Sequence, residues 1–246
     1  MYHVRASLAT ARRITRQLSH DKRTVMLMFL APVLLMGLLR WVFSDTLKVF
    51  DSVAPAMLGV FPFVIMFLVT SITTLRERTG GTLERLMATR VGKADIVMGY
   101  ALAFSLFGVI QSLITSLVAI YVLGMDVMGS LWFVIAIAIA DTLLGVALGL
   151  LASAFAKTEF QAVQFMPALI FPQIIVCGLF VPLAQLPNTL EVIAYCLPLT
   201  YAVDALNRVT EQLNVVPEMW RDVAVVGGFI VVSLVLASLT LRRRTK

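Results

Sequence analysis

Two places in this 246-residue chain hold residues whose types and spacing could do chemistry. The first is Arg76-Glu77-Arg78-Thr79-Gly80-Gly81-Thr82-Leu83-Glu84-Arg85-Leu86-Met87-Ala88-Thr89-Arg90, a charged stretch broken by paired glycines. The glycines permit a sharp turn, Thr82 can cap a new helix, and Glu84 in its first turn suits the helix dipole. On that helix Leu83, Leu86, Met87 and Arg90 share one face at i, i+3, i+4 and i+7. So short a helix cannot bury such a face alone; it needs a headgroup layer or a groove on another protein. The chemistry is docking, by ion pairs and apolar contact.

The second is Asp141, a carboxylate inside an apolar run. Counted from Ser130 it lies about 16 Å into the run at 1.5 Å per residue. A charge at membrane mid-depth costs roughly 3 kcal/mol or more unless it faces protein, water or a partner. Gln111, Gln164 or a bound proton are the partners available, so Asp141 is either a structural hydrogen-bonding residue or part of a substrate pathway. Cys177 and Cys196 have no disulfide-framework spacing and read as two small buried residues.

These residues need elements to hold them. The chain is 60% hydrophobic and 14% charged, with mean hydropathy +0.93, whereas a soluble domain is nearer half apolar and a quarter charged. Apolar blocks at 24–43, 53–75, 96–123, 130–155, 162–181 and 223–241 are each near the roughly 20 residues a membrane-crossing helix needs. The expected fold is one all-α transmembrane domain over 1–246 with six transmembrane helices. The polar segment before the first block argues against a cleavable signal peptide.

Charge then predicts orientation. Segments 1–23, 76–95, 156–161 and 242–246 share a side and carry 16 of the 20 Lys and Arg residues. Eight of the 14 acids, Asp45, Asp51, Asp126, Glu191, Asp204, Glu211, Glu218 and Asp222, fall on the other. The positive-inside rule makes both termini cytoplasmic. The net charge of +6 is thus a topology signal; dispersed among loops without interleaved aromatics, it does not suit nucleic acid.

Within 1–22, Val4, Leu8, Ala11, Ile14 and Leu18 fall on one helical arc and Arg5, Arg12, Arg13 and Arg16 on another. That is the pattern of an amphipathic helix lying in the membrane surface, its basic face toward anionic lipid headgroups. Pro32, Pro55 and Pro62 permit kinks in the first two spans. Gly145 and Gly149 let another helix approach closely. From 182 to 221 the chain is semi-polar, and segments 188–196 and 199–213 are too short to cross. They suit short extracellular helices or a hairpin re-entering the membrane.

The 76–90 stretch resembles the coupling loop of the type 2 permease family of ABC transporters, whose pattern is Glu-Arg-x-x-Gly-Thr-Leu-Glu-x-Leu. Glu77, Arg78, Gly81, Thr82, Leu83, Glu84 and Leu86 match in place, and Arg90 stands where the family often has Pro. A second stretch is similar to the same family: Cys177-Gly178-Leu179-Phe180-Val181-Pro182, then Pro187, then Pro198-Leu199-Thr200-Tyr201 with Asp204-Ala205-Leu206.

The resemblance implies a membrane permease, not an enzyme. It would pair with a second permease subunit and dock on a cytoplasmic ATP-binding subunit that holds ATP and Mg. No G-x-x-x-x-G-K-[ST] phosphate loop occurs in the sequence. It also implies that Glu77, Arg78 and Glu84 make charged contacts to the ATPase, that Leu83, Leu86 and Met87 fill its groove, and that Pro182, Pro187, Pro198, Tyr201 and Asp204 belong to an extracellular lid. The implied location is a bacterial inner membrane and the implied activity export, with hydrophobic drug-like cargo preferred over an envelope lipid or glycan. Asp141, Gln111, Gln164, Phe63 and Phe67, with Phe61, Phe165 and Phe171, could line the path, although phenylalanines in spans also serve plain packing. Competing readings are an ion-coupled secondary transporter using Asp141 and a non-transporting membrane scaffold.

Overall fold

The computed structural model describes residues 2–81, 91–212 and 217–240. Among them every regular element is helical. The helices are α1 Tyr2–His20, α2 Lys22–Val42, α3 Leu47–Thr79, α4 Lys93–Val122, α5 Leu131–Phe155, α6 Glu159–Val176, α7 Asn188–Tyr195, α8 Pro198–Glu211 and α9 Pro217–Thr240. Six of them, α2 to α6 and α9, are long and apolar enough to cross a membrane. The predicted docking helix, with Thr82, Leu83, Glu84, Leu86 and Met87, lies outside the described residues.

The six apolar blocks are all found, with bounds shifted by up to six residues. Helix α3 continues to Thr79 because its polar last turn has partners: Arg76 pairs with Glu159 at 2.8 Å, and Arg78 donates to the Ser153 carbonyl. Helix α6 stops at Val176, short of the predicted 181. Pro167 lies within its π-turn, Met166–Ile170, and Pro172 follows that turn, each removing a backbone donor. Gly178, at φ +92°, then turns the chain back in a conformation that only glycine adopts freely.

The bundle is organised around α3 and α5, which pack most extensively. Both run in the same direction, and three pairs repeat every turn along them. A Cβ on Gly59 would lie 2.6 Å from Asp141 Oδ2, one on Gly145 would collide with the Phe63 carbonyl oxygen, and one on Gly149 would lie 2.6 Å from the Phe67 carbonyl oxygen. Each step therefore needs a residue without a side chain on one of the two helices. In lipid, where apolar surface gains little by leaving the solvent, such close backbone approach is a principal source of helix association.

Buried apolar residues form two main clusters along this spine. One gathers Phe50, Leu58, Phe63, Leu199, Val203 and Leu206. The other gathers Ile14, Leu18, Met28, Tyr100, Phe104 and Leu150. Each cluster is completed by a helix too short or too polar to span: α8 in the first, α1 in the second. Helix α1 presses on α4 so closely that a Cβ on Gly99 would sit 2.6 Å from Thr10 Cβ and 2.9 Å from the Ser7 carbonyl oxygen. Its buried face is Ser7, Thr10, Ile14 and Leu18, while Val4 and Leu8, expected on the same arc as Ile14, are exposed. Asp21 caps the start of α2 and accepts from the Thr24 hydroxyl at 2.6 Å and the Thr24 amide at 3.2 Å. Those two bonds hold its carboxyl below the usual carboxylate range.

One expectation needs correction here. Cys196 is exposed and only Cys177 is buried, because Cys196 ends α7 on its outward side. In the 198–211 helix Pro198, Leu199, Ala202, Val203, Ala205, Leu206 and Val209 are all buried. It meets α7 at 91°, a bend that fits either a broken span or a re-entrant hairpin.

The ladder makes a direct prediction. Gly145→Val should lower the thermal unfolding midpoint of the detergent-solubilised protein, at a cost of about 1 to 3 kcal/mol from overpacking. Gly37→Val, with nothing within 4 Å of the added carbon, should leave it nearly unchanged.

Candidate functional site

Where α3 ends and α4 begins, the sequence places Glu77 one turn before the glycine hinge and Tyr100 two turns into the next span. The structure joins them through α1. Glu77 is 6% exposed. One of its carboxylate oxygens accepts from Arg13 Nη1 at 3.0 Å and from the Tyr100 hydroxyl at 3.1 Å, and the other accepts from Gln17 Nε2 at 2.6 Å. Arg13 Nη2 donates to the Tyr100 oxygen at 3.1 Å. A buried carboxylate with an opposite charge and two further donors has its desolvation largely offset, whereas losing one partner would strand it.

Below this knot a second one locks the start of α4. Asp95 accepts from the Gly92 amide at 3.0 Å, closing the helix start, and its same oxygen meets His3 Nδ1 at 2.8 Å. Helix α1 is therefore pinned to both sides of the 82–90 segment: at His3 to the helix that follows it, and at Arg13 and Gln17 to the helix that precedes it. The turn into that segment is set by Gly81 at φ +73°, a left-handed conformation natural to glycine. Any force applied at 82–90 thus meets α1, α3 and α4 together. A small cleft adjoins the knot, lined by Thr74, Arg78, Val97, Tyr100, Leu150 and Ala237 among others.

Of the residues predicted to contact another subunit, Glu77 is used inside the chain and Arg78 reaches the Ser153 carbonyl on α5. Glu77 thus holds α3 to α1, and Arg78 holds it to α5. The pathway candidates do not converge either. Asp141 is fully buried and neither oxygen has a hydrogen-bond partner among the described residues. Gln111 instead donates to the Met28 carbonyl on α2 at 2.9 Å, and Gln164 is exposed. Phe63 and Phe67 are buried in the core of the α3–α5 seam.

The residues expected in a lid divide by depth. Pro182 and Pro187 are exposed, whereas Pro198 is buried. The Tyr201 hydroxyl donates to the Tyr195 carbonyl at 2.7 Å and fastens α8 to α7. Asp204 pairs with Arg208 at 2.9 Å, and Arg208 approaches the buried Asp222 of α9 at 3.9 Å. Arg13, Gln17, Tyr100, His3 and Asp95 were not singled out from the sequence as site residues. One signal was available: Arg13 and Gln17 stand at i, i+4 on one edge of the basic arc.

The sequence is similar to known proteins. The family model described as ABC-2 type transporter matches residues 6–209. ABC transporter G family member 20 of Dictyostelium discoideum is 29% identical over 203 residues, covering 81% of this chain and 28% of that protein. The probable multidrug ABC transporter permease YbhS of Escherichia coli is 26% identical over 155 residues, 63% of this chain and 41% of YbhS. The linearmycin resistance permease protein LnrN of Bacillus subtilis is 28% identical over 152 residues, 60% of this chain and 39% of LnrN. In each case the match spans less than half of the relative's own length.

A double-mutant cycle tests the knot. Arg13→Ala and Glu77→Ala should each destabilise the protein and share a coupling of roughly 1 to 3 kcal/mol. Additive effects in chemical denaturation would show that the two side chains do not support one another.

Proposed function

The chain belongs to the ABC-2 type transporter family, and from that premise we propose that it is the permease subunit of an ATP-driven exporter of hydrophobic or amphipathic, drug-like molecules. The observation that carries this reading is the pinning of α1, α3 and α4 around the 82–90 segment by Glu77 and Asp95. A docked subunit that moves this segment would move three helices at once, and through Arg78 it would also reach α5. That is how a ligand bound on one protein can bias a two-state element in another.

In this reading ATP and Mg are held by a cytoplasmic ATP-binding subunit, and Glu84, Leu83, Leu86 and Met87 dock on it. Two permease subunits, identical or related, pair in a bacterial inner membrane with both termini cytoplasmic. The basic residues concentrated at one end of the bundle support that orientation. Helix α1 lies at the membrane surface, where exposed Val4 and Leu8 next to Arg5, Arg12 and Arg16 suit acyl chains and headgroups respectively. The drug-like cargo is supported by relatives named for multidrug transport and for linearmycin resistance. The buried α8 serves as the barrier at the far end.

A tagged chain should copurify with an ATP-binding subunit from its native host. In the reconstituted complex, Glu84→Ala and Gly81→Val should lower substrate-stimulated ATP hydrolysis on the order of 5-fold or more while insertion into the membrane stays intact. Unchanged hydrolysis and transport in both variants would remove the assignment.

A further inference from the structure

Helix α1 carries four arginines, Arg5, Arg12, Arg13 and Arg16, and no acid. Arg13 is used inside the chain, on Glu77 and Tyr100. The other three are exposed, and none has an acid within ion-pair reach among the described residues. By contrast Arg76 and Arg221, both more than half exposed, each hold a carboxylate. On the helix Arg5, Arg12 and Arg16 fall within about 40° of one another, in a stripe about 16 Å long. Val4 and Leu8, 63% and 56% exposed, border it on one side. Arg12 and Arg16 stand at i, i+4, where like charges oppose each other. An anion that bridges them removes that repulsion, and guanidinium groups take phosphate oxygens in paired, charge-assisted hydrogen bonds. A phosphate ester with acyl chains would cover the apolar border as well.

The rotation of α1 about its own axis is fixed by the bundle. On one edge Arg13 and Gln17 hold Glu77, and His3 meets Asp95. On the buried face Ser7 and Thr10 lie so close to α4 that only a glycine fits at position 99. The arginine stripe lies half a turn from that buried face, so the contacts that dock α1 also aim the stripe away from the bundle. A site held in place in advance binds with a smaller ordering cost than one on a loose helix. Headgroup binding and the docking of α1 are then linked, and each favours the other by the same factor.

We propose that Arg5, Arg12 and Arg16 bind anionic phospholipid headgroups of the inner leaflet, with Val4 and Leu8 against the acyl chains, and that this lipid and the Glu77 knot stabilise each other through α1. This rests on the placement of α1 at the inner membrane surface in the transporter reading, and it adds a regulator: the anionic lipid around the chain sets how firmly α1 holds α3 and α4.

The full chain in detergent, without an ATP-binding subunit, is titrated with phosphatidylglycerol or phosphatidylcholine, and bound lipid is counted by native mass spectrometry. Phosphatidylglycerol should bind more tightly, and inorganic phosphate, which has no acyl chains for Val4 and Leu8, should not displace it. Arg12→Gln together with Arg16→Gln should weaken phosphatidylglycerol about fivefold for each arginine replaced. Lys48→Gln, a charge lost at the opposite end of the bundle, should leave it unchanged. Gly99→Ala keeps every charge but sets its new carbon 2.6 Å from Thr10 Cβ; it should weaken phosphatidylglycerol roughly fivefold or more. In nanodiscs, phosphatidylglycerol should raise the thermal unfolding midpoint of the parent chain above that in phosphatidylcholine, and raise that of the double arginine variant less. Equal affinity for the two lipids, displacement by inorganic phosphate, or full phosphatidylglycerol affinity in the double arginine variant would overturn the site. The last of these with loss of copurifying ATP-binding subunit would assign the stripe to protein docking instead. Unchanged affinity in Gly99→Ala would overturn the linkage, and so would an unchanged parent midpoint, which decides even if Gly99→Ala does not assemble. No ATPase and no transported molecule enters the lipid titration, so its failure leaves the transporter reading standing.

Discussion

The close parallel packing of α3 on α5 is the constraint on which the other contacts depend. Gly145 and Gly149 let α5 touch the backbone of α3 at Phe63 and Phe67, and Gly59 lets α3 return the approach at Asp141. Because lipid tails are as apolar as the side chains, this close fit does in the membrane what water exclusion does for a soluble core. It also sets the two helices in register. At one end of the seam Gly59 is available to α8; at the other, Arg78 lies within reach of the Ser153 carbonyl.

From that spine the two ends of the bundle are closed differently. Helix α1 is held by polar contacts, with Arg13, Gln17 and His3 reaching carboxylates on α3 and α4, and by the absence of a side chain at Gly99. Helix α8 is held mainly by apolar burial, with Leu199, Val203 and Leu206 fully inside. Hydrogen-bonded ion pairs depend steeply on geometry and must move as a unit, which suits an element that transmits displacement. Apolar contacts instead hold α8 by close packing, in which each side chain fills a fixed space.

How much of this was legible follows from what each residue's role depended on. Six spans could be read because a run of about 20 apolar residues has few other fates. The glycine pair of α5 could be read as a packing motif for the same reason. The ends of the spans could not: α3 runs on to Thr79 only because Arg76, Glu77 and Arg78 find partners on α6, α1 and α5. A polar turn at a span's end reads as a loop until those partners are known. The knot around Glu77 was half visible, since its motif drew attention to Glu77 and Arg78 but suggested contacts outside the chain. Tyr100 looked like one more aromatic in an apolar run.

The sequence by itself determined what hydropathy and charge determine locally: that the chain is helical and membrane-spanning, that its basic residues gather on one side, and which family its two motifs resemble. These properties belong to short segments and survive any arrangement of them. Only the tertiary structure decided which groups meet across 60 or more residues, as Arg13 does with Glu77 and Gln17 does with the same carboxylate. Only it decided that Gln111 serves Met28 while Asp141 stands alone under α8. The physical reason is that a buried polar group is defined by its neighbours, and in a helical bundle those neighbours come from other helices, set by packing that no single segment encodes.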